Sequence, residues 1–311
     1  GQQSLYSLEK GDYNISMGYQ AMYQMESGSK NVAIGYQALG DKDNNSTGAE
    51  LTSNVAIGTN ALGDLKNGTG NIAIGTNAMN SVEGTDSGNI TGNIALGGAL
   101  KALEQGSNAA GFNGNDGGNF AALDGAMQVV VSGSENIAIG YRALYGGGTN
   151  KDGGIRQVFL GYTAGLNSDG GRENVAIGFE AGYNCSGDQN VMYGRQAGKG
   201  VTTGDANVHL GNAAGSNLQT GNYNVFIGKS QASATDVNDE IVIAAGNGNV
   251  TGAGTETIRI GVDSDHITND FGENATWTHS SDKRIKKDIE DNTLGLEFIN
   301  KLKTRTFKKK A

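Results

Sequence analysis

Asn31-Val32-Ala33-Ile34-Gly35 is the stretch that decides the fold of this 311-residue chain. The same five residues return at 54–58 and 174–178, and close variants start at 71, 93 and 136. Looser copies start at 14, 157, 190, 207 and 224, which makes eleven copies. Most neighbouring copies start 16 or 17 residues apart. Repetition at a near-fixed period is the signature of a solenoid, in which each repeat adds one coil.

Each position of the repeat has its own composition. The second and fourth residues are apolar in every copy, whereas the third varies from Ser16 and Ala33 to Phe159 and His209. Alternation with period two predicts a short strand, and we expect its constant apolar face to lie inside each coil. The fifth residue is Gly, which suits a turn with positive φ. An Ala follows seven residues after the leading residue in nine copies, which indicates crowding between neighbouring backbones.

The period decides the fold class. A unit of about 17 residues cannot bury an apolar face alone, but stacked units can, with a rise of about 4.8 Å per coil. The sequence therefore predicts an all-β fold, a parallel β-roll or β-solenoid of about 17-residue repeats. We expect Ile34, Ile57, Ile74 and Ile177 to form one buried column. The leading Asn residues either form a ladder of side-chain amides or act as plain turn residues.

The composition fits a thin, stacked core. The chain has 52 Gly and no Pro, and it is 36% apolar and 6% aromatic, which is lean for one large globular core. Residues 281–311 contain 10 Lys/Arg and 5 Asp/Glu, a net charge of +5, and the other 280 residues contain 13 and 27, a net charge of −14. An acidic body argues against nucleic-acid binding. No apolar run predicts membrane insertion, and Cys185 is expected to be a buried, inert thiol.

Shifts in composition along the chain predict four segments. Residues 1–145 form a first block of repeats, in which Leu or Met follows the Ala. Residues 146–235 form a second, regular block, in which Gly usually follows it. Residues 236–280 form a strand-rich neck, in which Glu240–Ile243 and Thr257–Gly261 alternate as strands do. Residues 281–311 are basic and glycine-poor, and they start a separate domain with a short α-helix and a strand.

Insertions interrupt the repeats at 40–53, 80–92 and 97–135, and within the last of these Asn108–Phe112 and Asn119–Leu123 resemble degenerate coils around an insertion. We expect the insertions to project from the stack as surface loops that carry any receptor contact. Asp41–Asn45 and Asn113–Gly117 supply oxygen ligands for Ca²⁺, but neither has the spacing of a known calcium loop. Solvated turns are the favoured interpretation, so we predict no metal and no cofactor.

The junction Ser281-Asp282-Lys283-Arg284-Ile285-Lys286, with Leu296–Leu302 and Thr306-Phe307 after it, resembles the start of an intramolecular chaperone domain. Such autoprocessing domains lie at the C-terminus of phage tail fibres and tailspikes of the endosialidase type. The resemblance implies self-cleavage of the Ser280–Ser281 bond, with the Ser281 hydroxyl as nucleophile and Lys286 as its base. From the residues alone, the alternative is that Ser281 caps a turn and Lys286 is a solvated charge.

The repeats are similar to the head repeats of trimeric autotransporter adhesins, and phage fibres carry similar blocks. This resemblance covers residues 1–261 and implies a left-handed β-roll and a parallel homotrimer. The two resemblances predict a phage tail fibre, extracellular on the virion, that joins upstream fibre or tail proteins and attaches to a host-surface glycan or protein receptor. No enzymatic activity is expected apart from self-cleavage. A cellular trimeric adhesin or surface filament and a polysaccharide-degrading tailspike are the alternatives.

Overall fold

The computed structural model describes residues 1–40, 50–63, 65, 67–80, 90–98, 118–127, 130–146, 151–232, 234–246 and 249–278. Every regular element in this part of the chain is a β-strand, which confirms the all-β prediction. The strands are β1 (Ile15–Met17), β2 (Ser27–Ser29), β3 (Val32–Ile34), β4 (Glu50–Thr52), β5 (Val55–Ile57), β6 (Gly68–Thr69), β7 (Ile72–Ile74), β8 (Ile90–Thr91), β9 (Ile94–Leu96), β10 (Phe120–Ala122), β11 (Val130–Ser134), β12 (Ile137–Ile139), β13 (Lys151–Ile155), β14 (Val158–Leu160), β15 (Val175–Ile177), β16 (Val191–Tyr193), β17 (Val208–Leu210), β18 (Val225–Ile227), β19 (Ser230–Gln231), β20 (Ile241–Ala245), β21 (Val250–Thr251), β22 (Thr257–Val262), β23 (Asp265–Asp270) and β24 (Asn274–Thr278).

One sheet of 16 strands runs along the stack in the order β1-β3-β5-β7-β9-β10-β12-β14-β15-β16-β17-β18-β20-β22-β23-β24. The strands from β1 to β22 pair in parallel, and equivalent residues of successive repeats lie side by side, as Val32 does with Val55. A second parallel sheet, β2-β4-β6-β8, and the pairs β11-β13 and β19-β21 form on the return path of the coils. The fold is therefore a parallel β-solenoid with one strand of the main sheet per coil. The left-handed coil and the homotrimer remain predictions.

The stack contains three further coils, which start at 119, 240 and 257 and depart from the repeat motif. Phe120–Ala122 pairs in register with Ile94–Leu96 on one side and with Ile137–Ile139 on the other. This pairing confirms the degenerate coil predicted at 119–123. Glu50–Thr52 and Ile90–Thr91 pair in the second sheet, so the expectation that 40–53 and 80–92 are projecting loops throughout is wrong for these ends. At the other end, β20 and β22 continue the parallel ladder to Val262, where β23 reverses direction and pairs antiparallel with β22.

The leading Asn residues form a buried ladder of amides, which decides between the two sequence interpretations. The Asn190 side-chain Nδ2 donates to Asn174 Oδ1 at 3.2 Å and to the Gly204 carbonyl at 2.8 Å, and its backbone N–H donates to the same Oδ1 at 2.9 Å. Asn207 repeats these three bonds one coil later: Asn190 Oδ1 accepts two of them, and the Gly221 carbonyl oxygen accepts the third. A buried amide is costly unless its donors and acceptor are used. The ladder meets this need and ties each coil to its neighbours.

Gly178 shows why the fifth position of the repeat is Gly. Its φ is +141°, a region that L side chains rarely adopt. A Cβ added there would lie 2.3 Å from the carbonyl oxygen of Gly194 in the next coil. The backbones of successive turns therefore approach so closely that a side chain at this position would separate the coils.

The interior of the coil is filled in two complementary ways. In the first block, the third strand residue is Ala, and a Leu or Met in the following turn fills the space, as Ala138 and Leu144 do. In most coils of the second block, the turn residue is Gly, and the strand supplies the bulk; the exception is Ala176, beside which Met192 of the next coil fills the space at Gly182. A Cβ on Gly165 would lie 2.4 Å from ring carbons of Phe159, so the two positions share one volume. The two blocks differ in composition because the large side chain that fills the coil comes from the turn in the first block and from the strand in the second.

Candidate functional site

The two faces of the strands are the reverse of what we predicted. The four Ile residues do share one column, but they point outward: Ile74 is 40% exposed, and Ile34, Ile57 and Ile177 are half-buried. The variable third residue is the one inside the coil, as Ala33 is, with no exposed surface. The physical reason is space. The thin interior also holds the amide ladder and a column of buried Ala, so each strand places one side chain inside, the third residue, and the two flanking apolar side chains lie on the other face.

These outward residues form an apolar stripe along the main sheet, which we define as the second and fourth positions of the fourteen parallel strands. Its members are Ile15, Met17, Val32, Ile34, Val55, Ile57, Ile72, Ile74, Ile94, Leu96, Phe120, Ala122, Ile137, Ile139, Val158, Leu160, Val175, Ile177, Val191, Tyr193, Val208, Leu210, Val225, Ile227, Ile241, Ile243, Ile258 and Ile260. All except Ala122 are half-buried or exposed in the single chain. None of them carries a charge. Thirteen steps of a parallel ladder make the stripe about 60 Å long.

A column of aromatic rings lies two residues along the chain from the fourth strand position. Tyr162 stacks on Tyr141 at a centroid distance of 5.3 Å and on Phe179 at 5.4 Å. The guanidinium groups of Arg142 and Arg195 contact the terminal rings at 5.3 and 5.7 Å. Because Tyr162 has a ring against each face, it presents its edge and hydroxyl to solvent. A sugar stacks on the face of an aromatic ring, so the centre of this column does not suit face-on carbohydrate binding.

The buried titratable side chains His209 and Cys185 pack in the interior of the coils. The His209 ring stacks on Phe226 at 5.4 Å, and its Nδ1 lies 3.1 Å from the Ala214 carbonyl oxygen. Burial is the main cause that lowers the pKa of His209 from 6.5 to about 4, so the ring is neutral at physiological pH. Burial likewise raises the pKa of the Cys185 thiol to about 12. Cys185 is fully buried, as the sequence predicted, and is protected from thiolate chemistry.

The residues predicted for self-cleavage, Ser281 and Lys286, lie outside the described residues, and so do the calcium-loop candidates Asp41–Asn45 and Asn113–Gly117. Among the residues that the structure does describe, no group of three or more His, Cys, Asp or Glu side chains could hold a metal ion. The same part of the chain has no helix that is long and apolar enough to cross a membrane. The feature that remains to explain is the apolar stripe.

Comparisons with known proteins do not assign the chain to a family: no family model, curated protein or solved structure matches it. The candidate site therefore depends on the chain's own geometry. Sequence reasoning found the residues of the stripe but placed them in the core. Burial in a core and burial between copies both require apolar side chains, so alternation alone does not distinguish the two.

Proposed function

We propose that this chain is the repeat-bearing segment of a homotrimeric extracellular fibre, part of a phage tail that attaches the virion to its host. The observation that carries the proposal is the uncharged apolar stripe. Isolated apolar side chains are common on protein surfaces, but a continuous exposed patch of this length is typical of an interface. Burying it between copies would supply the apolar core that a thin coil lacks.

The partner that fits the stripe best is another copy of the same chain. A second copy presents the same two columns at the same rise of about 4.8 Å, so side chains can interdigitate along the whole length. A compact globular partner would cover only part of a stripe about 60 Å long. Cyclic association of parallel copies produces a closed, rod-like assembly, and three is the number that the resemblance to trimeric adhesin heads implies.

A rod of this kind suits attachment at a distance. Its backbone groups are paired along the stack, which gives stiffness without a large globular core. Upstream fibre or tail proteins would hold one end, and a host-surface glycan or protein would be the receptor. The basic residues 281–311 would act as the start of the chaperone that brings three chains together, with Ser281 and Lys286 in self-cleavage.

Sedimentation equilibrium of the full chain tests the assembly. The chain has a mass of 32.0 kDa, so a trimer should sediment at about 96 kDa. Ile177→Asp, which puts a charge in the stripe, should yield monomers or a much less stable trimer. Thr203→Asp, at an exposed position outside the stripe, should behave as the unaltered protein does. A folded 32 kDa monomer, or equal behaviour of the two variants, would overturn the proposal.

Competition tests the attachment role. Purified trimer in excess should reduce adsorption of the virions that carry the fibre, because both would occupy the same receptor. A folded trimer that leaves adsorption unchanged would show that attachment resides elsewhere on the virion.

A further inference from the structure

Coil 119–127 departs from all the others at both positions of the apolar stripe. Phe120 is the only Phe among the fourteen second positions of the described strands, and Ala122 is the only Ala among the fourteen fourth positions. Ala122 is also the one stripe residue that is buried in the single chain, with 9% of its surface exposed. The one aromatic residue among the second positions and the smallest residue among the fourth positions therefore fall in the same strand, β10.

Cyclic symmetry brings these two positions together. In a ring of parallel copies whose strands run around the axis, the end of one copy's strand meets the start of the next copy's strand at the same level. The second position of one copy then faces the fourth position of its neighbour. We infer that Phe120 of each copy fits over Ala122 of the next and thereby fixes the axial register of the homotrimer. This inference depends on the proposed homotrimer.

A register device is needed because the remaining coils are nearly alike. A shift by one coil would still place Val or Ile against Ile or Leu at most levels. At coil 119–127, however, the shift would place Phe120 of one copy against Leu96 or Ile139 of its neighbour, which overpacks the contact. The same shift would place Ala122 against Ile94 or Ile137 and leave a cavity. Only the in-register arrangement places the large Phe120 against the small Ala122, and a trimer contains three such contacts.

The neighbouring Leu123 offers a control. It stands where the eleven repeats have their turn glycine and is 57% exposed, but it belongs to the turn that follows the stripe. If the Phe120–Ala122 contact sets the register, Leu123→Gly should leave the register unchanged.

Disulfide trapping between co-expressed full-length chains measures the register directly. A chain with Val175→Cys should cross-link to a chain with Ile177→Cys when the copies are in register, because these are the second and fourth positions of β15. Pairing Val175→Cys with Leu160→Cys or Tyr193→Cys reports a shift by one coil in either direction. Otherwise unaltered chains should give only the in-register product.

Size changes at the contact then test the inference. Phe120→Ala or Ala122→Phe alone should make the shifted products appear and lower the melting temperature of the trimer. The double swap Phe120→Ala/Ala122→Phe restores large against small with the roles exchanged, and it should return the in-register product. Three results would overturn the register contact. The single variants could stay fully in register, the double swap could give as much shifted product as the single variants, or Leu123→Gly could give shifted products. An unaltered chain that sediments as a monomer would instead overturn the homotrimer itself.

Discussion

The shared volume between Phe159 and Gly165 gives the sharpest test of how the coil interior is filled. Phe159→Ala should destabilise the stack by about 3–5 kcal/mol, because it empties a fully buried site. Gly165→Leu alone should also be harmful, since a Cβ there already lies 2.4 Å from the Phe159 ring. Overpacking of this kind costs about 1–3 kcal/mol or more.

The double variant Phe159→Ala/Gly165→Leu should be much more stable than the sum of the single effects predicts. It reproduces the arrangement of the preceding coil, where Ala138 and Leu144 are both fully buried and Leu144 has a φ of +47°. We expect a residual cost of about 1–2 kcal/mol for the left-handed backbone of the new Leu. The coupling between the two sites should therefore be on the order of 3 kcal/mol.

Urea unfolding followed by circular dichroism, with all four members of the cycle at one protein concentration, measures this coupling. Hydrogen exchange at the β14 amides would report the same change locally. Additive effects, with the double variant at least as unstable as the two single losses combined, would refute the shared-volume account.

Three further predictions concern single positions. Gly178→Ala should destabilise by about 2 kcal/mol or more in thermal melts, whereas Gly170→Ala, which has open space and a φ of +74°, should cost only about 1 kcal/mol. Acidification should remove stability, on the order of 3 kcal/mol per chain, as pH falls from 6.5 to about 4, because the folded state resists protonation of His209. In His209→Phe, the urea midpoint should change less with pH over that window. A pH dependence equal to that of the unaltered protein would show that His209 is not its cause. Ser281→Ala and Lys286→Ala should each give a longer, uncleaved chain by mass spectrometry, and unaltered cleavage would show that the dyad is not the catalyst.

The coil architecture could be predicted from the sequence because its requirements are local and repeat in each coil. An internal Asn such as Asn190 needs the same partners in every coil, and a Gly such as Gly178 needs the same close approach. The sequence predicted the coil at 119 only as a degenerate coil, and those at 240 and 257 only as alternating strands, because Glu240 and Thr257 replace the Asn and Leu123 replaces the Gly. A three-residue strand with an apolar pair is enough to extend the ladder when its neighbours are already in place.

The orientation of the strands could not be predicted from the sequence. Alternation separates Ile34 from Ala33 but does not say which face is inside. The variable third position, occupied by Ala176, Met192 and His209, resembled a tolerant surface. It is variable because the interior volume can come from either wall of the coil, as Phe159 and Leu144 show. The stripe is constant instead, and we attribute this constancy to matching with another copy.

Thiol labelling tests the central claim, that neighbouring copies cover the apolar stripe, most directly. Leu210 is 44% exposed in the single chain, so Leu210→Cys should react readily with a water-soluble maleimide if the chain stands alone. Thr203→Cys provides an exposed reference outside the stripe, and the buried Cys185 contributes little background. We predict that the native full-length protein labels at least about 100-fold more slowly at Leu210→Cys than at Thr203→Cys, a protection of about 2.7 kcal/mol. Equal labelling rates at the two positions would mean that the stripe is open to solvent and that the account is wrong.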